Sequence, residues 1–226
     1  MFDASRGEAF MKQLLSCAVV GLSLLAGALP SAAEDRPGSF DFYVLSLSWS
    51  PTFCTGGRAK ENPQQCAADK DFRFIVHGLW PQNEKGYPQS CASTGPSRVP
   101  AELGRQYFDI MPSMGLIGHQ WRKHGSCTGL NQVDYLKATR SAYEKIKLPQ
   151  QLSTLTATET LSAEALEQTF VAANPGLTTA AIAVSCEGSR LEEVRICLSK
   201  DLTFRPCREV DRQGCSLSRI TVPPAN

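Results

Sequence analysis

Two histidines and a lysine stand close together in Gly118-His119-Gln120-Trp121-Arg122-Lys123-His124-Gly125-Ser126-Cys127, in a chain of 226 residues that contains only three histidines. The third, His77, lies in Phe74-Ile75-Val76-His77-Gly78-Leu79-Trp80-Pro81. Imidazole can take or give a proton near neutrality, and an ammonium supplies a fixed positive charge. The pattern therefore suits a site that meets an anion and moves a proton. If the longer stretch is helical up to Gly125, then at about 100° per residue His119, Gln120, Lys123 and His124 fall within an arc of roughly 140°. Trp121 points away from that arc, as a core anchor. Gly125 is expected to end the helix in the left-handed conformation. A lone histidine beside an apolar run is usually structural, but three gathered into two glycine-punctuated segments favour a functional site.

Such groups need a scaffold. Phe40 to Trp49 predicts a central strand, with Phe42, Val44 or Leu45, and Leu47 facing inward. Phe72 to Val76 predicts a second strand, after which Gly78 and Pro81 are expected to turn the chain. His77 and Trp80 would then stand at the strand's end, facing a cleft. Gly56 to Asp71 and Asn83 to Val99 read as loops, and helices are predicted over Ala101 to Ile110, Asn131 to Lys147 and Ser162 to Ala173. Toward the end, Ala180 to Cys186, Leu191 to Leu198 and Leu202 to Cys207 read as short strands joined by turns. The expected fold is a single α+β domain with a mainly antiparallel central sheet and several helices. Trp49 reads as core, and Arg58, Lys60 and Arg73 as solvated surface. Glu192 and Glu193 are expected to point to opposite faces of their strand.

Residues 1–33 read as a signal peptide: a short basic start at Met11-Lys12, an apolar run from Leu14 to Leu29, and Ser31-Ala32-Ala33 as a small-residue cleavage site. The residues before Met11 read as extraneous, and 34–226 as the mature domain. One of the nine cysteines, Cys17, falls in that leader, leaving an even number. An even count in an exported chain implies a disulfide framework in an oxidising compartment, periplasmic or extracellular. A Cys54–Cys66 bridge would staple the long loop. Nested pairs Cys197–Cys207 and Cys186–Cys215 would suit a terminal hairpin with a returning tail, although parity alone fixes no connectivity. The net charge is +1, which lacks the global basic footprint of many nucleic-acid binders, so any polyanion site must be local. No other apolar run has transmembrane length, and no membrane anchor is expected after the leader is removed.

The two segments, His77-Gly78-Leu79-Trp80-Pro81 and His119 to Cys127, closely resemble the paired active-site signatures of the ribonuclease T2 family. Trp49-Ser50-Pro51-Thr52-Phe53-Cys54, the cysteine between the motifs and the cysteine-rich tail also fit. The resemblance implies a metal-independent endoribonuclease of low base specificity, acting on single-stranded RNA. In that reading His124 is the general base for the ribose 2′-hydroxyl and His77 the general acid for the leaving 5′-oxygen. His119 and Lys123 hold the phosphate, and Trp80 stacks on a base. It further implies a Cys91–Cys127 bridge. The products would be 2′,3′-cyclic phosphates and then 3′-phosphates, with DNA inert because it lacks the 2′-hydroxyl. No cofactor is expected, the partner is RNA, and a monomer is expected.

The family usually has glutamate where this chain has Gln120, and serine at 126 replaces a common threonine. Without that carboxylate the imidazolium of His124 is less stabilised and its pKa should fall. Two other readings compete. One is a zinc hydrolase using the three histidines, disfavoured because His119 and His124 are i, i+5 rather than i, i+4. The other is an RNA-binding module whose catalysis was weakened by Gln120.

Overall fold

The computed structural model describes residues 36–55, 57–92 and 95–225. The expected signal peptide, its start at Met11 and its cleavage site lie outside the described residues.

The domain is α+β, built on a six-stranded sheet. The strands are β1 (Phe42–Trp49), β2 (Phe74–Gln82), β3 (Glu159–Leu161), β4 (Ile182–Glu187), β5 (Arg190–Leu198) and β6 (Ile220–Val222). They run in the order β2, β1, β5, β6, β3, with β4 also paired to β5. Every pairing is antiparallel except the short contact of β5 with β6. The main helices are α1 (Met114–Lys123), α2 (Gln132–Glu144) and α3 (Ala163–Ala173).

All eight residues of β1 are buried. Tyr43, Leu45, Leu47 and Trp49 join the large core beneath the helices, while Phe42 and Val44 pack on the opposite face with Cys197, Cys207 and Val210. The inward set read from the sequence is therefore split between two faces. A strand covered on both sides gives a near-continuous apolar run rather than a clean alternation. Trp49 is core as expected, and its indole N–H donates to the carbonyl of Pro223 at 3.0 Å.

The second strand does not stop at Val76. It continues through Gly78 and Pro81 to Gln82, because the Phe42–Ser46 half of β1 supplies a pairing edge for it. Ser46 pairs with Gly78 and Leu47 with Val76, which leaves His77 as an extra residue in a β-bulge. Side chains alternate along a strand, and one inserted residue shifts the phase. Phe74, Val76 and then Leu79 accordingly face the large core. Ile75, His77 and Trp80 face the other side. A second bulge lies in β5, where Ser185 pairs with Glu193 and Cys186 with Leu191, so Glu192 is unpaired. Glu192 and Glu193 thus line the same cavity, contrary to the expectation of opposite faces.

The motif helix α1 begins at Ser113, whose hydroxyl accepts from the Leu116 N–H at 3.2 Å. It ends at Lys123 with His124 as its cap, and a tight turn of 3₁₀ helix follows over Gly125–Thr128. The left-handed residue is Gly129, at φ +77°, and not Gly125. Gly125 is needed for space: a Cβ there would lie 2.6 Å from Trp121 Cε3 and 2.8 Å from Tyr135 Cδ1. Trp121 and Tyr135 are buried, and the Tyr135 hydroxyl donates to the carbonyl of Leu79 at 3.1 Å, joining α2 to β2.

Among the described residues four disulfides are present: Cys54–Cys66, Cys91–Cys127, Cys186–Cys215 and Cys197–Cys207. These are the pairs read from the loops and from the resemblance. Elsewhere the sequence reading needs correction. Ala101–Arg105 is helical but the chain turns before Ile110. Leu202 to Cys207 contributes one isolated bridge, Phe204 with Leu198, since Leu202 sits at φ +62°; a short helix, Arg208–Arg212, follows. The loop after Cys54 contains two one-turn helices, Arg58–Glu61 and Pro63–Cys66. The three-residue strands β3 and β6 were not predicted. Among the described residues no helix is long and apolar enough to cross a membrane.

Replacing Gly125 with alanine should force a methyl against two buried aromatic rings. We expect the Gly125→Ala protein to lose about 1–3 kcal/mol of stability by overpacking, measured as a lowered midpoint in urea unfolding. An unaltered midpoint would show that the rings yield freely.

Candidate active site

The sheet face opposite the large core carries Ser46 and Ser48 of β1, His77 and Trp80 of β2, and Glu193 and Arg195 of β5. Ser46 is paired with Arg195 and Ser48 with Glu193. Helix α1 crosses one side of this face. Together they enclose a cavity of about 370 Å³ whose lining includes His77, Trp80, Tyr87, His119, Gln120, Lys123, His124 and Arg195. All six residues singled out by the sequence thus meet in one place, from two elements. Tyr87 and Arg195 were missed. A second cavity of about 380 Å³ shares His77 and His119 with the first and is also lined by Ser48, Leu116, Glu187, Glu192 and Glu193. His77 and His119 stand between the two hollows.

The environments of the three imidazoles differ. His124 is buried, and its Nδ1 has no hydrogen-bond partner among the described residues. Burial, with repulsion from Lys123, His77 and His119, pushes its pKa down to about 3. His119 is exposed, yet partial desolvation and the nearby charges of Lys123, His77 and Arg122 also lower its pKa. His77 is held through Nδ1 by a hydrogen bond with Glu193. Glu193 is 4% exposed, and its other oxygen accepts from Arg195 Nε and Nη2 at 3.1 and 3.0 Å. Burial works against ionisation of Glu193, but His77 and Arg195 outweigh it and hold the carboxyl at about 2. No sequence signal marked Glu193 as a partner of His77, because the two meet only through the pairing of β1 with both β2 and β5.

Trp80 lies between the imidazoles, edge-on to His77 with centroids 5.3 Å apart and stacked on His124 at 5.1 Å. The Arg195 guanidinium carbon lies 5.5 Å from the Trp80 centroid. The indole N–H donates to Gln120 Oε1 at 2.8 Å, and Gln120 is 1% exposed. That contact explains Gly78, which the sequence reading took for a turn. A Cβ at this position would lie 2.2 Å from Gln120 Oε1 and 2.4 Å from Trp80 Nε1. Tyr87, 50% exposed, offers a further ring 6.4 Å from His124. Arg58, expected to be solvated, is instead bonded to Glu187 beside the second cavity. Among the described residues no three His, Cys, Asp or Glu side chains are grouped to hold a metal ion.

The model of the Ribonuclease T2 family matches residues 40–207 of this chain, which contain both histidine segments and all the site residues named above. The chain belongs to the ribonuclease T2 family. Among its relatives are a ribonuclease of Aeromonas hydrophila, 37% identical over 132 residues, and a probable ribonuclease of Haemophilus influenzae, 35% identical over 130 residues. These alignments cover 58% and 52% of this chain, and 58% and 47% of the relatives, so the chain spans about half the length of the curated relatives it matches. Solved structures share the ribonuclease T2 fold. RNase NT in complex with 5′-AMP aligns with a TM-score of 0.64 at 23% identity, over 82% of this chain and 98% of that one. An RNase-related protein from Calystegia sepium aligns with a TM-score of 0.65 at 22% identity, over 83% and 98%.

Gly78→Ala should displace the Gln120 amide or the Trp80 indole and leave a buried oxygen without its donor. The expected result is a changed tryptophan emission spectrum together with a lowered midpoint in urea unfolding, since a buried unpaired acceptor costs about 1–3 kcal/mol. Unchanged emission and midpoint would mean that the contact does not order the cavity.

Proposed function

We propose that this protein is a metal-independent endoribonuclease that cleaves single-stranded RNA by attack of the ribose 2′-hydroxyl on the adjacent phosphorus. The observation that carries this reading is the convergence of His77, His119, Lys123 and His124, from a bulged strand and a helix end, on one cavity. RNA brings its own nucleophile, so the protein must supply a base, an acid and cations around the phosphoryl oxygens. His124 is assigned as the base that takes the 2′-proton. A buried neutral imidazole suits that role, and a bound phosphate beside it raises its proton affinity from the low value of the free site. His77 is assigned as the acid that protonates the leaving 5′-oxygen. His119 and Lys123 bind the phosphate and stabilise its growing charge. The immediate products are then a 2′,3′-cyclic phosphate and a 5′-hydroxyl, and the cyclic ester is hydrolysed to a 3′-phosphate with the two histidines exchanging roles.

Hollows on both sides of His77 and His119 leave room for a nucleoside on either side of the scissile phosphate. Trp80 and Tyr87 present ring surface to a base, and stacking discriminates weakly among bases, in keeping with low base specificity. Four disulfides favour an exported protein working in an oxidising compartment.

Incubation of the oxidised protein with RNA and with DNA in excess EDTA tests the reading directly. Cleavage of RNA alone, to 2′,3′-cyclic phosphate ends, with a loss of about 10²-fold or more in His124→Ala, is expected. RNA binding without cleavage from acidic to neutral pH would instead identify a binding module.

The second test concerns Gln120. The base must be neutral to act, so kcat/KM rises with pH as His124 loses its proton. A carboxylate nearby favours the imidazolium and raises the pKa. Gln120→Glu should therefore move the rising limb of the kcat/KM profile to higher pH, by roughly one unit. A limb at the same pH would show that position 120 does not tune His124.

A further inference from the structure

We propose that Glu193 is a positioning residue for catalysis: it fixes the tautomer and aim of His77 for delivery of a proton to the leaving 5′-oxygen. The proposal rests on the endoribonuclease reading above and deepens one step of it.

The geometry is that of a carboxylate built to serve one imidazole. Glu193 is buried beneath the sheet's polar face, with one oxygen bonded to His77 Nδ1 and the other to the Arg195 guanidinium. Burying a charge is costly unless it is paired and hydrogen-bonded, and both conditions are met here. With Nδ1–H committed to Glu193, the other ring nitrogen, Nε2, is the one left to carry the transferable proton. Arg195 pins the carboxylate from its own strand, so the imidazole is held by a rigid element and not by a loop. His119, Lys123, His124 and Arg195 line one cavity beside His77, and Arg58, Glu187, Glu192 and Glu193 line the other. Of the carboxylates there, Glu193 is the one in hydrogen-bond contact with the imidazole.

This arrangement also bears on Gln120. The carboxylate that the family usually carries on the motif helix is absent, and the amide in its place faces Trp80. The negative charge in contact with a catalytic histidine comes from β5 instead, and it reaches the acid rather than the base.

A general acid matters in proportion to how poor the leaving group is. Alkoxide departure from a dinucleoside phosphate needs the proton, whereas p-nitrophenolate departure hardly does. The experiment compares wild type, Glu193→Gln, Glu193→Asp and His77→Ala on uridylyl-adenosine and on uridine 3′-(p-nitrophenyl phosphate), with kcat, KM and pH profiles for each. Glu193→Gln keeps the shape and the contact with Arg195 but removes the charge. The expected result is a kcat on the dinucleoside phosphate lower by on the order of 10–100-fold with little change in KM, and a much smaller loss on the nitrophenyl ester. Glu193→Asp should recover part of the rate. Equal losses on both substrates, or no loss on either, would overturn the proposal. If His77→Ala alone shows the leaving-group dependence, the ribonuclease mechanism stands and the role of Glu193 falls. If wild type cleaves neither substrate, the mechanism itself falls and this inference with it.

Discussion

One inserted residue in β2 determines which side chains share the polar face with His77. Without the bulge opposite Ser46, strict alternation would send Trp80 to the same face as Phe74 and Val76, into the apolar core, and separate it from His77. With the bulge, Leu79 takes the core position while His77 and Trp80, three residues apart, share the polar face. The large core and the cavity are therefore set by the same register. The β1–β5 ladder runs unbroken to Glu193, so His77 of β2 and Glu193 of β5 meet across β1 on its polar face.

The helix side of the cavity is held just as firmly, by packing rather than by register. Gly125 lets the chain leave α1 flat against Trp121 and Tyr135, and the Cys91–Cys127 bridge ties the following turn to the loop beyond β2. The backbone repeats that tie, with Ser90 N–H donating to Lys123 O at 2.7 Å. A lysine whose carbonyl is bonded and whose neighbour is a buried histidine has little freedom in its backbone. Its ammonium can then be presented to a phosphate without a large loss of chain entropy on binding.

The helical half of this site was legible in the sequence because helix geometry is local. Spacing at 3.6 residues per turn is enough to place His119, Gln120, Lys123 and His124 on one face, whatever the rest of the fold does. The strand half was not. A bulge arises from the pairing of two segments distant in sequence, so nothing within Phe74 to Gln82 marks His77 as unpaired. The same blindness put Glu192 and Glu193 on opposite faces and assigned a turn to Gly78, whose small size in fact admits Gln120. The family resemblance supplied what local periodicity could not, namely that the two segments meet. It was silent on Tyr87, Arg195 and Glu193.

Acid–base catalysis at one pH requires two like groups to hold their protons differently. Here the difference comes from solvation and partners alone. His124 is enclosed by apolar and cationic neighbours, with a ring nitrogen that finds no partner among the described residues, and burial disfavours its charge. His77 keeps a third of its side chain open and leans on a buried carboxylate. In the proposed mechanism, desolvation suits the first to accept a proton, and the hydrogen bond to Glu193 aims the second. Under that proposal the negative charge of a substrate phosphate placed between them strengthens His124 as a base when the 2′-proton is to be taken, while Glu193 continues to hold His77 through Nδ1. The difference in surroundings is set by the sheet and the helix themselves, and a bound phosphate would sharpen only the member that has to become basic.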